Sequence, residues 1–169
     1  MSRESMSPAA PHRRILAAGF LTALTDGLFS SGLSVFAYGS TVERLFQGVA
    51  SVLIGADAFA GGWRTASLGL LMHLCVALGW SAVFVMWLER SSWIGRLLGA
   101  PYGVLKVASF YGPLIWLVMS LVVIPAFVRK PPAIGFRWVV QLVGHVVFVG
   151  LPIVALGRGA GSARSSAQS

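Results

Sequence analysis

Four long apolar runs alternate with short polar or basic stretches along this chain. The clearest run extends from Thr65 to Leu88 and contains no Asp, Glu, Lys or Arg. It is longer than the about 20 apolar residues that an α-helix needs to cross a bilayer. Three further runs have the same character, so four membrane-spanning helices are predicted. Their predicted bounds are residues 15–37, 65–88, 107–128 and 136–156.

The segment between the first two spans has a different pattern. Apolar residues repeat there at helical spacing, while Glu43, Arg44, Gln47 and Ser51 fall on the other side. Ser40, followed three residues later by Glu43, is typical of a capping box. Because the segment is too short and too polar to span, we predict an amphipathic helix over residues 41–54, either interfacial or re-entrant. An ordinary helical loop packed on the bundle stays an open alternative.

The predicted fold is an all-α membrane protein, with four transmembrane helices in one bundle over residues 15–157 and the amphipathic helix between spans 1 and 2. Residues 1–14 and 158–169 are polar, with Ser, Pro, Gly and Arg, and predict disordered tails. Arg13-Arg14 before an apolar run would also suit a signal peptide. The length of the run and Asp26 in its middle favour a retained span instead.

Composition agrees with a membrane protein. The chain is 56% hydrophobic and 11% charged, with a mean hydropathy of +0.80, whereas soluble domains carry about 25% charged residues. A net charge of +8 would suit nucleic-acid binding, but the basic residues form short clusters between apolar runs and not one polar face, which excludes that class. The expected partners are the lipid bilayer and either a second copy of the chain or another membrane protein.

The distribution of basic residues predicts the orientation. Four spans place both termini on one side of the membrane. The segments on that side carry Arg3, Arg13, Arg14, Arg90, Arg96, Lys106, Arg158 and Arg164. The segments on the other side carry Arg44, Arg64, Arg129, Lys130 and Arg137. Since the side richer in Lys and Arg is cytoplasmic, we expect both termini in the cytoplasm.

Three residues with a carboxyl or imidazole side chain lie near the middle of predicted spans: Asp26, His73 and His145. With about 1.5 Å of rise per residue, all three fall within about 5 Å of the membrane midplane, on the side away from the termini. Gln141 lies on the same helix face as His145, one turn away. Such groups are costly in hydrocarbon and by default indicate a site or a pathway. The sequence therefore predicts one intramembrane polar site built from these four residues.

Small residues accompany each of these groups and predict close helix packing. Gly19, Ala23 and Gly27 recur every four residues on the first span, beside the face that carries Asp26. Gly69 precedes His73 by one turn, and Gly144 adjoins His145. Six Trp and three Tyr lie mostly near span ends, as in an aromatic belt, with Trp80 as the interior exception.

Three interpretations of the polar residues stay open. They can hold helices together by hydrogen bonds, they can form a proton or polar-solute pathway, or the histidines can bind a divalent metal or clamp a haem. No phosphate-binding glycine loop, nucleophile elbow or cysteine pair occurs in the sequence. A non-enzymatic permease-like subunit or envelope scaffold is therefore favoured, without a cofactor, and a haem- or metal-binding redox protein using His73 and His145 is the alternative.

Four stretches carry a resemblance: FQGVAS (46–51), AFAGGWRTASLGLLMHL (58–74), YGPLIWLVMSLVVIP (111–125) and GHVVFVGLPIVAL (144–156). In their order and character they resemble small bacterial four-span inner-membrane proteins of unknown function. The resemblance covers most of residues 15–158. It implies a bacterial inner-membrane location and carries over no catalytic residue.

Overall fold

The computed structural model describes residues 9–159, and all regular elements in this range are helices. Four of them are long and apolar enough to cross a membrane: Pro11–Ala37 (α1), Gly62–Arg90 (α3), Gly103–Val128 (α5) and Phe136–Gly157 (α6). Two shorter helices are Val42–Ile54 (α2) and Ser92–Gly99 (α4). The predicted fold class is confirmed: the chain is an all-α membrane protein with four spans and a short amphipathic helix between the first two.

The spanning helices extend beyond the apolar runs that predicted them. Pro11 occupies the first turn of α1, where its missing N–H costs nothing, so residues 11–14 are helical and not part of a disordered tail. The rest of the two predicted tails, residues 1–8 and 160–169, lies outside the described residues. The bundle has a terminal end, formed by residues 9–14, 91–102 and 158–159, and a far end, formed by residues 38–61 and 129–135.

Helix α6 is the centre of the bundle, since it contacts each of the other three spans. Helices α5 and α6 approach most closely at two glycines. A Cβ on Gly112 would overlap the His145 carbonyl, and a Cβ on Gly150 would overlap the Ala108 carbonyl. Because both obstacles are backbone atoms, neither glycine can be enlarged without moving a helix.

The apolar core fills the terminal half of the bundle. Its members are Phe84, Ile94, Leu98, Val107, Ala108, Tyr111, Ile115, Val149, Ile153 and Val154. Arg14 closes this end, since its guanidinium donates to the Gly157 carbonyl at the end of α6 and lies 3.2 Å from the Glu89 carboxylate of α3. A cation at a helix C-terminus is favourable, because the last carbonyls there lack helical partners.

Helix α2 packs along the first half of α3. A Cβ on Gly69 would overlap the Phe46 carbonyl, which shows how closely the two backbones approach. Two sequence predictions are corrected here. The side chain that caps α2 is Thr41, which accepts from the Arg44 N–H at 3.1 Å, and not Ser40. Gln47 was predicted on the polar face and is instead buried.

Helix α4 was not predicted. Ser91 accepts from the Ile94 N–H and so caps it, and Ile94 and Leu98 are buried in the core at the terminal end. Arg96 and the exposed Trp93 lie on its outer side. The connection between the second and third spans is therefore a short amphipathic helix, where the sequence pattern indicated only basic and aromatic anchors.

Candidate functional site

Asp26 and His73 lie side by side within the membrane-spanning part of the bundle, between α1 and α3. The Asp26 Oδ2 atom lies 3.9 Å from His73 Nε2, and Asp26 is only 9% exposed. Its other oxygen, Oδ1, is buried and has no hydrogen-bond partner within residues 9–159. Burying a carboxylate oxygen costs free energy unless the oxygen is protonated or accepts a hydrogen bond.

His73 is oriented by the backbone of α1. Its Nε2–H donates to the Ala23 carbonyl at 3.1 Å, since a carbonyl can only accept. This hydrogen bond places the proton of the neutral imidazole on Nε2 and leaves Nδ1 as the atom that can take up a second proton. Gly27 lies beside the same imidazole, and the Phe46 ring of α2 meets it edge-on at 6.1 Å between ring centroids.

His145 lies on α6 and is 7% exposed. Its Nδ1–H donates to the Gln141 carbonyl at 2.8 Å within the same helix, so its Nε2 is the free site for a proton. No direct bond joins His145 to Asp26 or to His73 among the described residues. The structure therefore brings Asp26 and His73 together and leaves His145 on the neighbouring helix α6.

Gln141 connects α6 with α1. Its Nε2 donates to the Ser30 hydroxyl at 3.1 Å, one turn from Asp26 toward the far end. Its Oε1 atom is buried without a partner in the described part of the chain. The predicted four-residue site is thus arranged as a pair, Asp26 with His73, and a second pair of neighbours on α6, His145 and Gln141.

The small residues named from the sequence lie at the contacts around this site. A Cβ on Gly19 would crowd the backbone of Leu78 on α3, and a Cβ on Gly144 would overlap the Phe29 ring of α1. Gly69 lets the backbone of α2 approach α3 closely. These glycines let α1, α2, α3 and α6 approach closely enough for Asp26, His73 and Gln141 to reach their partners.

The sequence patterns missed two residues of the site. Trp116 packs on His145, with 4.9 Å between ring centroids, and its Nε1 is buried without a partner among residues 9–159. Trp116 lies in the middle of α5, so it is a second tryptophan inside a span, in addition to Trp80. Thr25 donates to the Phe148 carbonyl of α6 at 2.7 Å. The central position of Trp116 in its span was a signal that could have found it.

Among residues 9–159 no three His, Cys, Asp or Glu side chains lie together as metal ligands. Binding of a divalent metal by Asp26, His73 and His145 stays a hypothesis. Haem ligation by the two histidines stays an alternative hypothesis, and a visible absorption spectrum of the purified protein tests it, because a bis-histidine haem gives strong bands.

Fold and site together define a multi-pass membrane protein with ionisable groups inside its helical bundle. No protein-family model, no curated protein and no solved structure matches the chain.

Proposed function

We propose that this chain is a small, non-enzymatic, permease-like membrane protein in which the Asp26–His73 pair takes up and releases a proton. The observation that carries the proposal is the 3.9 Å approach of Asp26 Oδ2 to His73 Nε2. A charged residue in the middle of a span costs at least about 2.5 kcal/mol. A carboxyl group beside an imidazole at this depth therefore indicates a functional site.

The chemistry of the pair suits proton exchange. Asp26 has one oxygen beside His73 and one oxygen without a partner in the described residues, so it can hold a proton on Oδ1 while Oδ2 stays next to the imidazole. His73 keeps its Nε2–H on the Ala23 carbonyl and has Nδ1 free to accept a proton. On the neighbouring helix α6, His145 Nε2 is a third group that can accept a proton. Chains of Asp and His in membrane helices are typical of proton relays.

The membrane and the orientation are part of the same proposal. The chain resides in the inner membrane of a bacterium with both termini in the cytoplasm. The eight basic residues on the terminal side, against five on the other, support this orientation. The far end of the bundle then faces the periplasm.

Proton flux into liposomes tests the function. The purified protein is reconstituted into vesicles that contain a pH-sensitive dye, and a potassium gradient with valinomycin supplies the driving force. We expect the wild-type protein to acidify the vesicles faster than protein-free vesicles, and Asp26→Asn to reduce the rate to the protein-free level. The substitution removes the titratable group and preserves the shape of the side chain.

The matched control is Asp57→Asn, which removes an exposed carboxylate from the far end and should leave the flux unchanged. Equal fluxes for wild-type protein and Asp26→Asn, with both correctly folded by gel filtration, would overturn the proposal. The pair would then serve as hydrogen-bonded glue between α1 and α3, and the chain would fit an envelope scaffold.

A further inference from the structure

Two stripes of polar residues face each other between the site and the far end. On α1 the stripe consists of Asp26, Ser30 and Ser34, and Tyr38 follows directly after the helix ends. On α6 it consists of His145, Gln141 and Arg137, at intervals of four. Residues four apart in an α-helix lie on one face, so Asp26 shares a face with Ser30, and the three residues of α6 share another. Ser34 lies in the π-helical turn Leu33–Ala37, where its hydroxyl donates to the Thr41 carbonyl at 3.3 Å.

The two stripes are in contact at two levels. Ser30 accepts from Gln141 Nε2 at 3.1 Å, halfway along the stripes. At the far end the Arg137 guanidinium lies over the Tyr38 ring, 4.1 Å from its centroid. Tyr38 and Arg137 also line an open groove of about 480 Å³ at the surface of the far end. The stripes therefore lead from a surface groove to Asp26.

Polar atoms along the stripes are buried and lack partners in the region that the structure describes. They are Asp26 Oδ1, Gln141 Oε1 and Tyr38 Oη. Unpaired polar atoms in a bilayer cost several kcal/mol each in order of magnitude, because lipid offers no hydrogen bonds. Water that reached these three atoms would supply the hydrogen bonds that they lack.

Toward the terminal end the polar face of α1 continues for one turn only, to Thr22, whose Oγ1 is also buried without a partner in the described residues. Farther toward Arg14 the buried residues of α1 are Gly19 and Ala18. The apolar core fills this half of the bundle, and Arg14 closes its end through Glu89 and the Gly157 carbonyl. Asp26 is twelve residues from both Arg14 and Tyr38, which is about 18 Å along the helix in each direction.

We propose that the two stripes form a half-channel that admits water from the far end to Asp26, while the terminal half is closed in this conformation and must open before a proton is released on the other side. This inference deepens the proposed function, because it names the side of the membrane from which the Asp26–His73 pair exchanges protons. Its ligand is water.

Thiol labelling tests the half-channel independently of proton flux. Cys75 is the only cysteine, so Cys75→Ser gives a cysteine-free background. Ser30→Cys and Ser34→Cys are then treated with a membrane-impermeant, positively charged methanethiosulfonate in sealed vesicles of each orientation. This reagent reacts with thiolates, which form only where water is present. We expect both variants to react from the far side only.

Two control positions on α1 separate the half-channel from general access. Leu28→Cys lies at a depth close to Ser30, on a surface that is 65% exposed outside the bundle, and Ala18→Cys lies in the terminal half; neither should react. Lack of reaction at both serine positions, reaction from the terminal side, or equal reaction at Ala18→Cys would overturn the half-channel. Labelling without proton flux would overturn the proposed function alone, and proton flux without labelling would overturn the half-channel alone.

Discussion

Thr25 shows how one hydroxyl compensates for a proline in a neighbouring span. Pro152 in α6 has no N–H to donate to the Phe148 carbonyl four residues earlier. The Thr25 hydroxyl of α1 donates to this carbonyl at 2.7 Å. The turn before Pro152, Val146–Gly150, is a π-helical turn, as is Met119–Val123 before Pro125 in α5. Proline therefore widens the spans locally, and a neighbouring helix can supply the missing donor.

The cost of removing the Thr25 hydroxyl should depend on Pro152. We expect Thr25→Val to lower the free energy of unfolding by about 1–3 kcal/mol, because it leaves a buried carbonyl without its donor. In a Pro152→Ala background the helix supplies its own N–H, so the same substitution should cost clearly less. Unfolding of all four variants by SDS titration in one detergent measures the coupling. Thr25→Ser is the control, since it keeps the hydroxyl, and equal costs in the two backgrounds would contradict this account.

Helix α2 illustrates an element with one polar side chain turned inward. Gln47 is 4% exposed, and its Nε2 donates to the Gly62 carbonyl at the start of α3 and to Glu43 of its own helix. Phe46 of the same turn reaches His73. One polar contact, Gln47 with Gly62, and one apolar contact, Phe46 with His73, therefore connect α2 with α3.

Loss of the Gln47 side-chain amide should loosen α2. We expect Gln47→Leu to increase amide hydrogen exchange across residues 42–54, because the substitution removes a hydrogen bond that connects α2 with α3. The matched control is Ser51→Ala, since the Ser51 hydroxyl donates only to Gly48 within α2 and should leave the exchange unchanged. Unchanged exchange in Gln47→Leu would show that the close contact at Gly69 holds α2 by itself.

At the scale of the whole molecule, the bundle is divided into two unlike halves. The terminal half contains the apolar core and the Arg14 closure. The half toward the far end contains the facing polar stripes, and the Asp26–His73 pair lies near the boundary. Because access for water differs between the halves, the orientation of the bundle decides which compartment the pair exchanges protons with.

Reporter fusions test the orientation. Fusions at Ser169 and Gly99 should report a cytoplasmic location, and fusions near Asp57 and Pro132 a periplasmic one, because the basic residues favour the cytoplasmic side for the terminal end. A cytoplasmic Asp57 combined with a periplasmic Ser169 would contradict four retained spans. A periplasmic Ser169 with a cytoplasmic Pro132 and Asp57 in one molecule would indicate a first segment that does not span.

Hydropathy alone determined the membrane class, the number of spans and the existence of α2. A run such as residues 65–88 has no stable alternative to a helix in lipid, because every backbone group must be paired within the segment. The same reasoning placed Asp26, His73 and His145 near one depth, since rise per residue is constant along a helix. These conclusions depend on local chemistry and need no knowledge of neighbours.

Tertiary structure decided which faces meet. Depth along a helix does not specify its rotation or its neighbours, so the sequence could not show that His73 pairs with Asp26 while His145 bonds within its own helix. It could not show that Gln47 faces inward, since a polar side chain on an amphipathic helix suits water or a backbone carbonyl equally well. These outcomes follow from backbone approach at Gly69, Gly112 and Gly150, which only the packed bundle defines.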